Sequence, residues 1–160
     1  MKIYRFFIVF LYLGIAGGCT SFEVVNEPVP EILQAEKVCL VVHDDTREFF
    51  KTTLKEWLRE QGITPDVYPQ GTPVDICEWT LEYEGRWSWV VGLYLADAKI
   101  TAYRDGSEAG RVWLDVGKWD GHKWEDGRER IYKLMNMLSG KSEGYDLPVK
   151  KKEKEKQIFQ

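Results

Sequence analysis

The sequence has few of the residues from which enzymes most often build reactive centres. Its 160 residues include two histidines and three cysteines, whereas metal sites usually need three or four ligands at recognisable spacings. Glycine-rich phosphate loops, Gly-x-Ser-x-Gly elbows and His-Glu-x-x-His motifs are all missing. We therefore predict that the protein is not an enzyme and that it has no catalytic residue, no metal site and no cofactor.

An excess of positive charge is also missing. The formal net charge is -4 at pH 7, which predicts that nucleic acid is not a partner. Aromatic residues, in contrast, make up 14% of the chain and include seven tryptophans. This composition is sufficient for a packed core, and the length is that of a single folded domain with flanking segments.

The first residues have the pattern of a signal peptide. Lys2 and Arg5 precede an apolar run over residues 6–15, and the small residues 16–18 lead directly to Cys19. A charged segment, a short apolar segment and a small-residue cleavage site follow one another in secretory signals. The apolar run is too short to cross the roughly 30 Å hydrocarbon core of a bilayer as a helix. We predict a signal peptide over residues 1–18 that is removed.

The cysteine at this cleavage site indicates lipidation. Residues 16–19 resemble a bacterial lipobox, with Ala16 at the position where leucine is usual. The resemblance implies fatty acylation of Cys19, with palmitate among the acyl chains, and a membrane anchor at the N-terminus. Thr20 follows the cysteine, at the position where an aspartate would mark retention in the inner membrane. The resemblance therefore implies an anchor in the outer membrane and a domain that faces the periplasm. The alternative is a chance cysteine in an ordinary signal.

Composition divides the mature chain into three parts. Residues 19–36 are rich in Glu, Pro and Val, and Pro28 and Pro30 favour an extended backbone, so they are predicted to be a lipid-anchored tether. Residues 141–160 contain a run of alternating Lys and Glu too polar to bury itself, which predicts a disordered Lys/Glu-rich tail. The folded periplasmic domain is then expected over residues 37–140.

Hydropathy patterns within the domain predict strands and helices in the order β-α-β-β-β-β-α. Asp105 and Gly106 lie between two alternating runs and indicate a hairpin, and Pro65 places a short strand at a sheet edge. We predict an α+β fold of two layers, a curved, mainly antiparallel sheet of four to five strands with two helices on one face. The predicted strands are 38–43, 63–68, 76–83, 93–104 and 109–116, and the predicted helices lie within 45–62 and 125–139.

These segments resemble a family of small uncharacterised proteobacterial lipoproteins. The resemblance depends on the strand around Cys39, the pattern Cys77-x-Trp-x-Leu-x-Tyr, the triplet 87–89 and the strand 94–98. It covers most of residues 37–140 and implies an envelope location and one compact α+β domain. It implies no activity.

Cys39 and Cys77 are the two thiols that remain once Cys19 carries lipid. Each lies in a predicted strand with its side chain towards an apolar face. An even pair in the oxidising periplasm is a disulfide candidate, and neighbouring strands bring Cα atoms within the roughly 4.4 to 6.8 Å that a disulfide requires. We predict a disulfide between them, and two buried reduced thiols remain the alternative.

The tryptophans are the least ordinary feature of the sequence. They are either core and loop anchors or an exposed binding surface. We predict an envelope lipoprotein that acts as a non-enzymatic interaction or maintenance component and binds a protein partner. The alternative function is the binding of a hydrophobic or glycan ligand. The candidate binding-surface residues are Trp87, Trp89, Trp113, Trp119 and Trp124.

Overall fold

The structure is a computed structural model that describes residues 22–117 and 124–142. Within these ranges, six strands, a 3-10 helix and two α-helices follow one another along the chain. They are β1 (Phe22–Glu27), the 3-10 helix (Pro30–Gln34), β2 (Lys37–Val42), α1 (Glu48–Glu60), β3 (Thr64–Tyr68), β4 (Trp79–Trp89), β5 (Leu93–Arg104), β6 (Ser107–Val116) and α2 (Gly127–Leu138).

The strands form one mixed sheet in the order β1-β6-β5-β4-β2-β3. Antiparallel pairing joins β4, β5, β6 and β1, while β2 pairs parallel with both β3 and β4. The α+β class is confirmed, but the sheet has six described strands and is less purely antiparallel than predicted. The parallel part arises because α1 connects β2 to β3, and a helical crossover returns the chain in the same direction.

Both α-helices pack on one face of the sheet, called here the helix face. Leu40 in β2, Leu81 in β4 and Leu114 in β6 belong to the same buried cluster as the apolar side chains of both helices. The helices are also joined to each other, because the indole Nε1 of Trp57 donates a hydrogen bond of 3.0 Å to Oδ1 of Asn136. The helical residues of the cluster are Phe50, Leu54, Trp57, Leu58, Ile131, Leu134, Met135, Met137 and Leu138.

The predicted tether differs most from the structure. From Phe22 onwards the chain is part of the domain, because β1 pairs with β6 and Phe22 lies opposite Val116. Ile32 in the 3-10 helix is fully buried, and the N–H of Val29 donates a 2.6 Å hydrogen bond to the carbonyl of Leu138 in α2. Pro30 occupies the start of the 3-10 helix, where its missing N–H costs nothing. The prolines therefore shape a turn instead of marking a linker.

Two other predicted segments lie largely outside the residues that the structure describes. Residues 1–21, which hold the predicted signal peptide and Cys19, and residues 143–160 of the predicted tail lie outside the described residues. Of the helices that the structure does describe, none has the length and apolar character needed to cross a membrane.

The predicted disulfide joins Cys39 to Cys77, with Cα atoms 6.1 Å apart. Cys39 lies on the sheet face opposite the helices, because its neighbours Val38 and Leu40 point into the core. Cys77, predicted to lie in a strand, instead lies in the loop that precedes β4, which begins at Trp79 and runs to Trp89. The bond therefore attaches this loop to the second face of the sheet, which carries no helix among the described elements.

The burial of Ile32 leads to a prediction about the domain boundary. Ile32→Ala should lower the free energy of unfolding by roughly 2–5 kcal/mol, because it leaves a cavity in the core. Urea denaturation followed by circular dichroism measures this loss. The neighbouring Glu31 is exposed, so Glu31→Ala is the matched control and should change stability by less than about 0.5 kcal/mol. Equal stability of Ile32→Ala and the wild type would restore the tether interpretation.

Candidate functional site

One end of the sheet carries most of the large exposed apolar side chains of the described residues. The strands β2, β4 and β6 end there, whereas β1, β5 and both α-helices begin there. Loops that are far apart in sequence therefore meet at a single surface. We call this surface the aromatic end, and it consists of Phe49, Trp87, Trp89, Val90, Val91, Leu93 and Trp124.

The exposure of these side chains is unusual for large apolar groups. Trp89 is 70% exposed, Val91 74% and Trp124 59%. Of the eight large apolar side chains that are exposed in the described part of the chain, six belong to the aromatic end. Isolated exposed apolar residues are ordinary, but a contiguous apolar patch marks a surface that another molecule covers.

A bulge between β4 and β5 creates the patch. The pairing register shifts after Arg86, so that Trp87 lies opposite Leu95 and Ala96 is the extra residue of β5. From Ala98 to the end of β5, even-numbered residues face the helices. Between the start of β5 and the bulge, odd-numbered residues face that side instead, as do the tryptophans of β4. A bulge redirects side chains in this way, and here it places Leu93 beside Trp89.

Trp87 is the half-buried base of the aromatic end. Its ring meets Phe49 edge to face, with centroids 5.8 Å apart, and the guanidinium carbon of Arg47 lies 5.5 Å from the ring centroid. At Gly127, the first residue of α2, a Cβ would come within 2.7 Å of the Trp87 ring, so only glycine allows this approach. The indole Nε1 is buried and meets no hydrogen-bond acceptor among the described residues.

A buried ion pair holds the loop that carries Trp124. The side chain of Arg130 in α2 is fully buried, its Nε lies 3.3 Å from Oε2 of Glu125, and its Nη1 donates a 2.5 Å hydrogen bond to the carbonyl of Leu95 in β5. Lys133 binds the other oxygen of Glu125, and this hydrogen bond raises the pKa of Lys133. These contacts attach the loop to β5, so Trp124 lies against the β4-β5 turn at Gly92.

The start of α2 is fixed from a second side. Oδ1 of Asp126 accepts hydrogen bonds from the backbone N–H groups of Arg128, at 2.9 Å, and Glu129, at 3.3 Å. Such a cap satisfies N–H groups that have no partner within the helix. Residues 124–126, which precede α2, are thus held by hydrogen bonds and an ion pair instead of by apolar packing alone.

Three of the five predicted surface tryptophans meet at this end: Trp87, Trp89 and Trp124. Trp113 does not belong to it, because alternation in β6 turns its side chain to the sheet face opposite the helices, where Nε1 donates a 3.0 Å hydrogen bond to Oδ2 of Asp97. Trp119 lies outside the described residues. Phe49 and Leu93 were not predicted to belong to this surface, since helical or alternating periodicity assigns each to its own element and carries no information on their shared surface.

A groove of about 480 Å³ lies at the base of the aromatic end. It is open to solvent between the start of α1, the bulged ends of β4 and β5 and the start of α2. Within the ranges that the structure describes, no group of three or more His, Cys, Asp or Glu side chains is placed to hold a metal ion. The groove is lined by Arg47, Phe49, Trp87, Leu93, Trp124, Glu125, Asp126 and Gly127.

Comparison with known proteins defines a fold class. The chain matches no protein-family model and no curated protein. A solved structure of a PelC variant dodecamer from Paraburkholderia phytofirmans is similar to it with a TM-score of 0.53 and 13% identity, over 74% of this chain and 98% of that one. A minor lipoprotein from Acinetobacter baumannii has a TM-score of 0.32 and 14% identity, over 72% and 86%. The first similarity shows a shared fold alone, and the second is too low to support a conclusion about fold or function.

The Glu125–Arg130 pair predicts a stability effect linked to the site. Glu125→Gln leaves the buried guanidinium without its carboxylate and should lower the free energy of unfolding by about 3 kcal/mol. Urea denaturation followed by circular dichroism measures the loss. Glu129→Gln is the matched control, because Glu129 contacts the same Lys133 at the surface and should cost less than about 1 kcal/mol. Equal losses in both variants would contradict the proposed role of the buried pair.

Proposed function

We propose that the protein is an envelope lipoprotein that has no enzymatic activity and acts by binding a protein partner. Lipid on Cys19 anchors it in the outer membrane, and the domain faces the periplasm. The order of charged, apolar and small residues before Cys19 supports the address. The disulfide between Cys39 and Cys77 supports an oxidising compartment, because such bonds are rare where thiols are kept reduced.

The observation that carries the proposal is the position of β1. It begins three residues after Cys19 and pairs with β6 along one side, while no described strand pairs with its other side. The open side of an edge strand presents backbone N–H and C=O groups that can pair with a strand of another protein. The other edge strand, β3, contains Pro65, which cannot donate a backbone hydrogen bond. We therefore assign the partner to β1.

The lipid anchor predicts the behaviour of Cys19→Ser. This variant should be released from membranes or remain uncleaved, because Cys19 is the acyl acceptor that the signal pattern provides. Membrane fractionation and intact-mass measurement distinguish the two results, and Cys77→Ser, which breaks the disulfide but keeps Cys19, is the control that should stay with the membrane. A Cys19→Ser protein with the membrane retention and mass of the processed wild type would exclude lipidation at this residue.

The assignment to β1 predicts position-dependent cross-linking in cells. A photo-reactive residue at Glu23, which is exposed in β1, should give an adduct with an envelope protein. The same probe at Thr64, which is exposed in the edge strand β3, should give none. Gel electrophoresis and mass spectrometry identify the adducts. Adducts from Thr64 with none from Glu23 would assign the partner to β3 and contradict its assignment to β1.

A second candidate function is the binding of a hydrophobic or glycan ligand in the groove. The observation in its favour is the lining of the groove, where the rings of Phe49, Trp87 and Trp124 lie beside the charged side chains of Arg47 and Glu125. Aromatic rings beside a few polar groups are typical of ligand sites.

A further inference from the structure

We infer that the aromatic end is a membrane-docking surface. In this arrangement Trp89, Val91 and Trp124 enter the interfacial layer of the same bilayer that holds the lipid on Cys19. The inference rests on the lipid anchor proposed above and extends it, because it assigns an orientation to the domain. The aromatic end faces the bilayer, and the opposite end of the sheet, with the Cys77 loop, points away from it.

The path of the chain brings this end to the membrane. Phe22 begins β1 at the aromatic end, and three residue steps from Cys19 to Phe22 span at most about 11 Å. In the sheet, β1 and β4 are separated by three strand spacings, or roughly 14 Å. An acyl anchor at Cys19 therefore keeps the β4-β5 turn within reach of the lipid headgroups.

The side chains match the chemistry of the interface. Indole rings concentrate at the boundary between headgroups and acyl chains, where their apolar faces leave water and their N–H groups stay hydrated. Trp89 and Val91 lie at the tip of the β4-β5 hairpin and are 70% and 74% exposed. A second apolar contact at the interface adds to the membrane residence that the acyl chains on Cys19 supply, and it fixes which end of the domain faces the bilayer.

A ligand in the groove would not account for this tip. The groove is lined by Phe49, Trp87 and Trp124 among others, but Trp89 and Val91 are not part of its wall. A ligand bound there would leave in water the two most exposed large apolar side chains of the described residues. A bilayer surface would cover both, together with the rim of the groove.

The test is lipid quenching of tryptophan fluorescence in the acylated full-length mature protein. The protein is reconstituted in phosphatidylcholine vesicles whose acyl chains carry bromine, and the emission is compared with that in unbrominated vesicles. We expect brominated lipid to quench the wild type, and quenching to fall at least threefold in the double variant Trp89→Phe and Trp124→Phe. Trp113→Phe is the control, because Trp113 lies on the other face of the sheet, and it should leave quenching unchanged.

A second pair of variants tests the tip without removing a fluorophore. Val91→Asp should reduce quenching at least threefold, whereas Ile76→Asp should not, because Ile76 is also exposed but lies in the loop at the opposite end of the sheet. Quenching that survives Val91→Asp, or its absence in the wild type, would overturn the docking inference. Intact mass reports acylation independently: acylated but unquenched protein contradicts docking alone, whereas protein without acyl chains contradicts the proposed lipoprotein and, with it, the docking.

Discussion

The buried ion pair between Arg130 and Glu125 connects the parts of the molecule on which the candidate site depends. Through it the first turn of α2, the loop that carries Trp124 and the backbone of β5 at Leu95 are held together. A buried guanidinium is expensive unless its charge and its hydrogen bonds are satisfied, so this arrangement tolerates little displacement. It gives a loop at the surface a fixed position relative to the bulged hairpin beside it.

The β4-β5 hairpin closes one end of the core and also carries exposed apolar side chains. Leu95 beyond the bulge is buried in the core, whereas Leu93, two residues earlier, is exposed beside Trp89. The same change of register thus places Leu95 over the end of the core and leaves the next apolar pair, Leu93 and Trp89, on the same side but beyond the core. Since Trp87 is packed between Phe49 and Gly127, the exposed residues stand on a rigid base, which a surface that binds another molecule requires.

Two faces of the molecule then have separate roles in the proposed function. The open edge of β1 would offer backbone hydrogen bonds to the proposed protein partner, while the aromatic end would offer apolar side chains to the bilayer inferred above. Both lie close to Phe22, where the chain enters the domain. An anchored domain of this kind would present its edge strand at a fixed height above the membrane, because the aromatic contact restricts rotation about a short connection.

The α+β class, both α-helices, the β5-β6 hairpin and the edge position of β3 could be predicted from the sequence, because they follow from periodicity and turn residues within single segments. The number of thiols predicted the Cys39–Cys77 pair. Residues 22–36 were misassigned, since a short strand flanked by prolines has the composition of a linker until β6 is available to pair with it. Tertiary packing brings Trp87, Trp89 and Trp124 to the same end of the sheet as Phe49, and it turns Trp113 to the other face. Strand register and the approach of distant loops depend on long-range packing, and local patterns carry no record of it.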